Sequence, residues 1–194
     1  LLVLVAASPS LHAQDRTLLP LEQPPFAGTL DPLREGSRQG GYIRHLAPAN
    51  APNVLLFMSD DVGFGMAGTF GGPVPTPNFD RIAKQGVRYN QFHTTGICSP
   101  TRAALLTGRN HHHAGFGYLA DLPDGYPGYH AEIPRETASI AEILKLNGYN
   151  TAMFGKSHNV THAATSAAGP FDQWPTGQGF EHFLGAAHDP HRLA

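Results

Sequence analysis

Cys98-Ser99-Pro100-Thr101-Arg102 sets the only cysteine of the chain four residues ahead of an arginine, a nucleophile-like group beside an anion clamp. Ser99 followed by Pro100 predicts a helix over residues 99–107, capped by Ser99 with Pro100 in its first turn and closed by Gly108. Cys98 then lies just before a helix amino terminus, where free amides and the dipole stabilise negative charge. Arg102 adds a rigid fork of donors matched to oxyanions. A lone cysteine taken by itself reads as a small buried hydrophobe. Asp60-Asp61 is the second cluster. Adjacent carboxylates repel, so a site that keeps both ionised holds a cation, and hard oxygens suit calcium or magnesium; the plain alternative is a turn or helix cap. The third is Gly155-Lys156-Ser157-His158, where Lys156 offers a point charge and His158 a proton acceptor near neutral pH, although each residue singly is ordinary surface chemistry.

The elements that must position these clusters follow from pattern. Residues 54–58 are a continuous apolar run before Ser59-Asp60-Asp61, which predicts a strand buried on both faces with Asp60 and Asp61 at its carboxyl end. Thr76-Pro77 through Gly86 predicts a short amphipathic helix, with Thr76 as cap and Pro77 at its first position. Residues 87–92 alternate and predict a second strand; residues 138–147 predict a helix stopped by Gly148, and residues 149–154 the next strand. Strand, helix, strand, helix, helix, strand argues for an α/β fold with a largely parallel sheet. In such a fold the strand ends are where a site draws its groups, and all three clusters stand at or near element ends.

Composition narrows the classes. A 41% apolar and 14% charged chain of 194 residues is ordinary for a globular domain. The formal net charge of -2 provides no basic stripe, so nucleic acid gains no support as a partner. A single cysteine excludes an internal disulfide framework and any multi-cysteine zinc site. Residues 1–13 read as the end of a signal peptide, an apolar run too short to span a bilayer followed by a small residue, Ala13, at the cleavage position. That predicts export to the periplasm or beyond, without stable membrane insertion. Residues 14–52 read as an irregular arm and residues 53–194 as the domain. His111-His112-His113 invites a metal reading, but adjacent residues do not all face one ion. Gly115, Gly117, Gly125 and Gly128, among Tyr118, Tyr126 and Tyr129, read as loop punctuation with packed aromatics, and no nucleotide-binding glycine fingerprint is present.

The run from Cys98 to Arg109, Cys-Ser-Pro-Thr-Arg-Ala-Ala-Leu-Leu-Thr-Gly-Arg, resembles the signature of type I sulfatases. The resemblance implies that Cys98 is oxidised to formylglycine by a separate maturation enzyme. Residues 53–61 resemble that family's first metal-binding strand, which maps calcium ligands onto Asp60 and Asp61, with position 98 also facing the ion. Gly155-Lys156-Ser157-His158 is similar to the family's Gly-Lys-x-His segment, with Ser157 where Trp is commoner, a change to the adjoining pocket wall. Lys156 then takes the sulfate-binding role, while His158 orients or deprotonates the attacking group. The stretch 166–185, with Gly169-Pro170-Phe171-Asp172-Gln173-Trp174-Pro175, resembles bacterial arylsulfatases. Likewise implied is an alkaline-phosphatase-like sandwich, a largely parallel mixed sheet flanked by helices, with the carboxyl-terminal part missing. The family's later Asp-Asn pair, second His and second Lys lie beyond Ala194, so residues 1–194 alone are expected to turn over little substrate. In the implied reaction, a hydrated aldehyde at position 98 attacks the sulfur of a sulfate ester, with Arg102 neutralising nearby negative charge, and sulfate leaves as the aldehyde reforms. Two other readings stay open: a phosphonate or phosphate diester hydrolase of the same superfamily, and a truncated non-catalytic anion-binding module.

Overall fold

A computed structural model of the chain describes residues 2–3, 28–38 and 46–188. Ala13 and most of the arm lie outside the described residues. Four strands and three α-helices are described: β1 (Leu2–Val3), β2 (Leu56–Phe57), α1 (Pro77–Gln85), α2 (Cys98–Thr107), α3 (Ile140–Leu146), β3 (Ala152–Lys156) and β4 (His182–Ala186). Short 3-10 turns occupy Arg34–Gly36, Phe64–Met66, Gly68–Phe70 and His162–Ala164. β1 pairs antiparallel with β2, whereas β3 and β4 pair in parallel from Ala152 opposite His182 to Lys156 opposite Ala186. Helices between strands and a parallel pair make the fold α/β, as the alternation predicts. Among the described residues no helix is long and apolar enough to cross a membrane.

The helices form where sequence expects them, with revised starts. α1 begins at Pro77, but Thr76 makes no side-chain cap; its hydroxyl instead accepts from the Thr69 amide at 3.0 Å and meets the Thr69 hydroxyl at 2.8 Å. α2 starts at Cys98 rather than Ser99, with Ile97 in the cap position. The Ser99 hydroxyl is drawn away to accept from the amide of Ala120 at 3.1 Å, so a tertiary contact displaces the local cap. Gly108 does close the helix, at φ 65°, its amide donating to the Ala104 carbonyl. α3 is shorter than residues 138–147, because the hydroxyl of Ser139 accepts from the Glu142 amide at 3.1 Å and fixes the boundary there.

The strands depart further. Residues 54–58 do not make a buried strand: only Leu56–Phe57 pairs, and Leu55 and Phe57 stay 79% and 56% exposed. Residues 87–92 form no strand; Val87, Tyr89 and Phe92 are exposed, and Arg88 donates to the Thr69 carbonyl at 2.6 Å while its guanidinium lies 5.8 Å from the Phe70 ring centre. An alternating segment is a strand only when a neighbour pairs with it, and none does so here among the described residues. The last predicted strand is displaced from 149–154 to Ala152–Lys156, because the Tyr149 amide still donates to Leu144 and the ladder with β4 begins at Ala152. Lys156 therefore ends the strand instead of following it. Gly155 and Gly185 sit opposite each other so closely that a Cβ on Gly185 would fall 1.8 Å from the Gly155 carbonyl oxygen.

Two apolar clusters hold these pieces. Ala103 of α2 packs with Ala114, Phe116, Ala120, Ala131 and Ile133. Beyond β3 and β4, Val160, Ala164 and Ala187 pack against Trp174, whose indole donates to the Ala164 carbonyl at 2.7 Å.

Candidate active site

Asp60 is where three elements meet. From α2, Arg102 places Nη2 3.2 Å from Asp60 Oδ1; from the end of β3, Lys156 places Nζ 2.9 Å from Asp60 Oδ2. Arg102 Nη1 also donates to the Lys156 carbonyl at 2.5 Å, tying α2 to β3 directly. The cations come from inside, with side chains 8% and 11% exposed, while the Asp60 side chain is 33% exposed. Partial burial on its own would raise the Asp60 pKa, but the hydrogen bonds and charges of Lys156 and then Arg102 outweigh it and hold the carboxyl below its ordinary value. Arg102 Nε is buried and makes no hydrogen bond. A guanidinium with two groups committed and a third unmatched has capacity left for an oxygen acceptor.

Cys98 opens α2, half-buried and with a free thiol. It is inside the first turn rather than ahead of it, still among the amides that have no intrahelical acceptor. Residues four apart share a helix face, so Cys98 and Arg102 address the same side of α2. Asp61 is exposed and held at φ 52°. His158 is fully buried at φ 55°, just past the β3–β4 ladder, where its amide donates to the Ala187 carbonyl at 3.0 Å. Left-handed backbone at a residue other than glycine costs about 1–3 kcal/mol and persists only where the surroundings enforce it. The ring of His158 faces Asp121, with Nε2 3.2 Å from Oδ2.

The structure thus brings Asp60, Arg102 and Lys156 into direct contact and gives His158 a separate acidic partner. Three contributors escaped sequence reasoning: Asp121, Ser99 as a tether, and Asn159, whose Nδ2 donates to the Ser99 carbonyl at 3.0 Å. No spacing rule flags Asp121, which lies in a loop; only the folded contact reveals it. The His run is engaged locally: His111 Nδ1 lies 2.9 Å from the Phe116 carbonyl oxygen, and His112 Nε2 lies 3.1 Å from the hydroxyl of Tyr129.

Among the described residues, no group of three or more His, Cys, Asp or Glu side chains is arranged to hold a metal. Calcium takes roughly six to eight oxygens. Asp60 and Asp61 are hard carboxylates of the kind that ion takes, and Asp60 already gathers two cations, Arg102 and Lys156; the pair would supply only part of a calcium shell.

The sulfatase family model matches residues 52–192. Over 148 residues the chain is 39% identical to arylsulfatase A of Homo sapiens, covering 74% of this chain and 27% of that protein. Over 116 residues it is 39% identical to an arylsulfatase of Klebsiella aerogenes, covering 59% of this chain and 25% of the relative. Among solved structures, the PsFucS1 sulfatase from Pseudoalteromonas sp. aligns at a TM-score of 0.49 and 29% identity, over 66% of this chain and 24% of that one. The chain spans about a quarter of the length of the curated relatives it matches. With the family model matching well over half of its residues, the chain belongs to the sulfatase family.

Proposed function

We propose that the chain carries part of the catalytic site of a sulfuric ester hydrolase, arylsulfatase-like in its chemistry, with formylglycine in place of Cys98 and calcium held in part by Asp60 and Asp61. The observation that carries this reading is the convergence of two nearly buried cations, Arg102 and Lys156, on one carboxylate, with Arg102 on the helix face of Cys98 and one guanidinium N–H unmatched. That is an environment for an anion whose charge must be held while a bond to it breaks. When present, the modified residue supplies an oxygen nucleophile that can be released again, and calcium supplies Lewis-acid charge beside it.

The chain's own residues do the rest. Arg102 neutralises negative charge at the start of α2 and orients the group at position 98. Lys156 binds a sulfate oxygen as a point charge. His158, shielded from solvent, accepts or returns the proton of the attacking group. The names of the arylsulfatase relatives favour sulfate over phosphate esters. Maturation calls for a formylglycine-generating partner enzyme, and the apolar start of the chain is read as an export signal to the periplasm or beyond.

Peptide mapping across Cys98 by mass spectrometry, on enzyme from its native host, tests the central step: the expected peptide has lost its sulfur. Cys98→Ala is expected to reduce sulfate ester hydrolysis to background. An active enzyme with an intact thiol at position 98 overturns the reading, and faster hydrolysis of phosphate than of sulfate esters reassigns the substrate class.

A further inference from the structure

We propose that Asp121 is the positioning residue for His158, fixing which ring nitrogen His158 presents to the reaction. The inference deepens the sulfate ester reading and rests on it for the reaction that the histidine serves. Asp121 Oδ2 lies 3.2 Å from His158 Nε2, and the two side chains are only 15% and 1% exposed, so neither exchanges this contact freely for water. An ionised carboxylate only accepts, so the ring nitrogen facing it carries the proton. The hydrogen bond made by one ring nitrogen sets the state of the other. With Nε2–H committed to Asp121, neutral His158 is the tautomer whose Nδ1 holds the lone pair, and Nδ1 is the nitrogen that takes up a proton.

A second, independent set of contacts indexes this pair to the reacting position. The Ala120 amide, next to Asp121, donates to the Ser99 hydroxyl at 3.1 Å, and Asn159, next to His158, donates to the Ser99 carbonyl at 3.0 Å. Ser99 is itself fully buried and directly follows Cys98. Both members of the pair are therefore tethered through their neighbours to the residue beside the nucleophile position. His158 is further held by the backbone hydrogen bond to Ala187 and by its left-handed backbone. Asp121 acts on the ring itself, holding Nε2 through its carboxylate.

The test is the imidazole nitrogen NMR spectrum of the 15N-histidine-labelled protein, with His158 assigned by its loss in His158→Gln, read together with sulfate ester kinetics. Wild type is expected to show His158 as the Nε2–H tautomer. Asp121→Ala and the isosteric Asp121→Asn are both expected to shift the His158 ring resonances and to lower kcat by about tenfold or more, with KM kept within about twofold. Asp121→Asn preserves shape, so it decides the matter if the alanine variant does not fold. An Nδ1–H tautomer in wild type, or ring resonances unchanged in Asp121→Asn, overturns the proposal. Wild-type enzyme from the native host that hydrolyses no sulfate ester sinks the functional reading instead, and the ring spectra still decide the role of Asp121.

Discussion

The two sides of the candidate site are held in different ways. Around Cys98, the structure is packed from within: Ser99, Ala103, Phe116, Ala120 and His158 are all fully buried, and Ser99 uses both its hydroxyl and its carbonyl to bind neighbouring loops. Around Asp60 the opposite holds. β2 is two residues long, Leu55 and Phe57 are mostly exposed, and Asp61 faces solvent. The carboxylate segment joins the packed side chiefly through the hydrogen-bonded ion pairs of Asp60 with Arg102 and Lys156. Packing positions the cationic half, whereas charge positions the anionic half. The first should fail through cavities and unmatched polar groups, the second through changes in ionisation.

Phe116→Ala attacks the packed side hardest. It empties the largest fully buried position of the α2 cluster, and is expected to cost about 3–5 kcal/mol in urea denaturation. Ser99→Ala leaves packing nearly intact but strands the buried Ala120 amide, with an expected loss of about 1–3 kcal/mol. A Ser99→Ala loss as large as that of Phe116→Ala would mean that the hydroxyl, and not the apolar cluster, organises this side.

Legibility in the sequence follows the same division. The existence of α1, α2 and α3 could be read locally, since Pro77, Gly108 and the apolar spacing act within a few residues of themselves. Their starts could not be read as well, because Thr76 and Ser99 spend their hydroxyls on Thr69 and Ala120. Strands were the weak point: residues 54–58 and 87–92 carry strand composition, but pairing is a property of two segments and cannot be seen in one. The candidate residues stood out through motif spacing, which put Arg102 four residues after Cys98 and Lys156 just past a predicted strand that in fact runs on to include it. Their joint use of Asp60, and the pairing of His158 with Asp121, join residues far apart in the chain, beyond the reach of any local signal.

The smallest expected effect sharpens the comparison most, because it acts on the charged side alone. Asp60→Asn removes the anion that Arg102 and Lys156 share; the Asp60 side chain is a third exposed but the two cations are nearly buried, so the global loss is expected at about 1 kcal/mol, the low end of the Ser99→Ala range. Acid should do the same reversibly. The folded pKa of Asp60 lies below its ordinary unfolded value of about 3.9. The link therefore contributes fully above that unfolded value and is lost as pH falls through the lower folded one. In chelator-treated buffer, the side-chain carboxyl carbon of Asp60 should titrate below the ordinary aspartate range. Amide exchange over residues 101–103 of α2, corrected for its intrinsic pH dependence, should keep its protection over that same acidic window. Asp60→Asn should leave that protection unchanged. Were residues 101–103 to lose protection as the Asp60 carboxyl protonates, the ion pairs would be holding both sides of the site, and the distinction between a packed half and a charge-tethered half would fail.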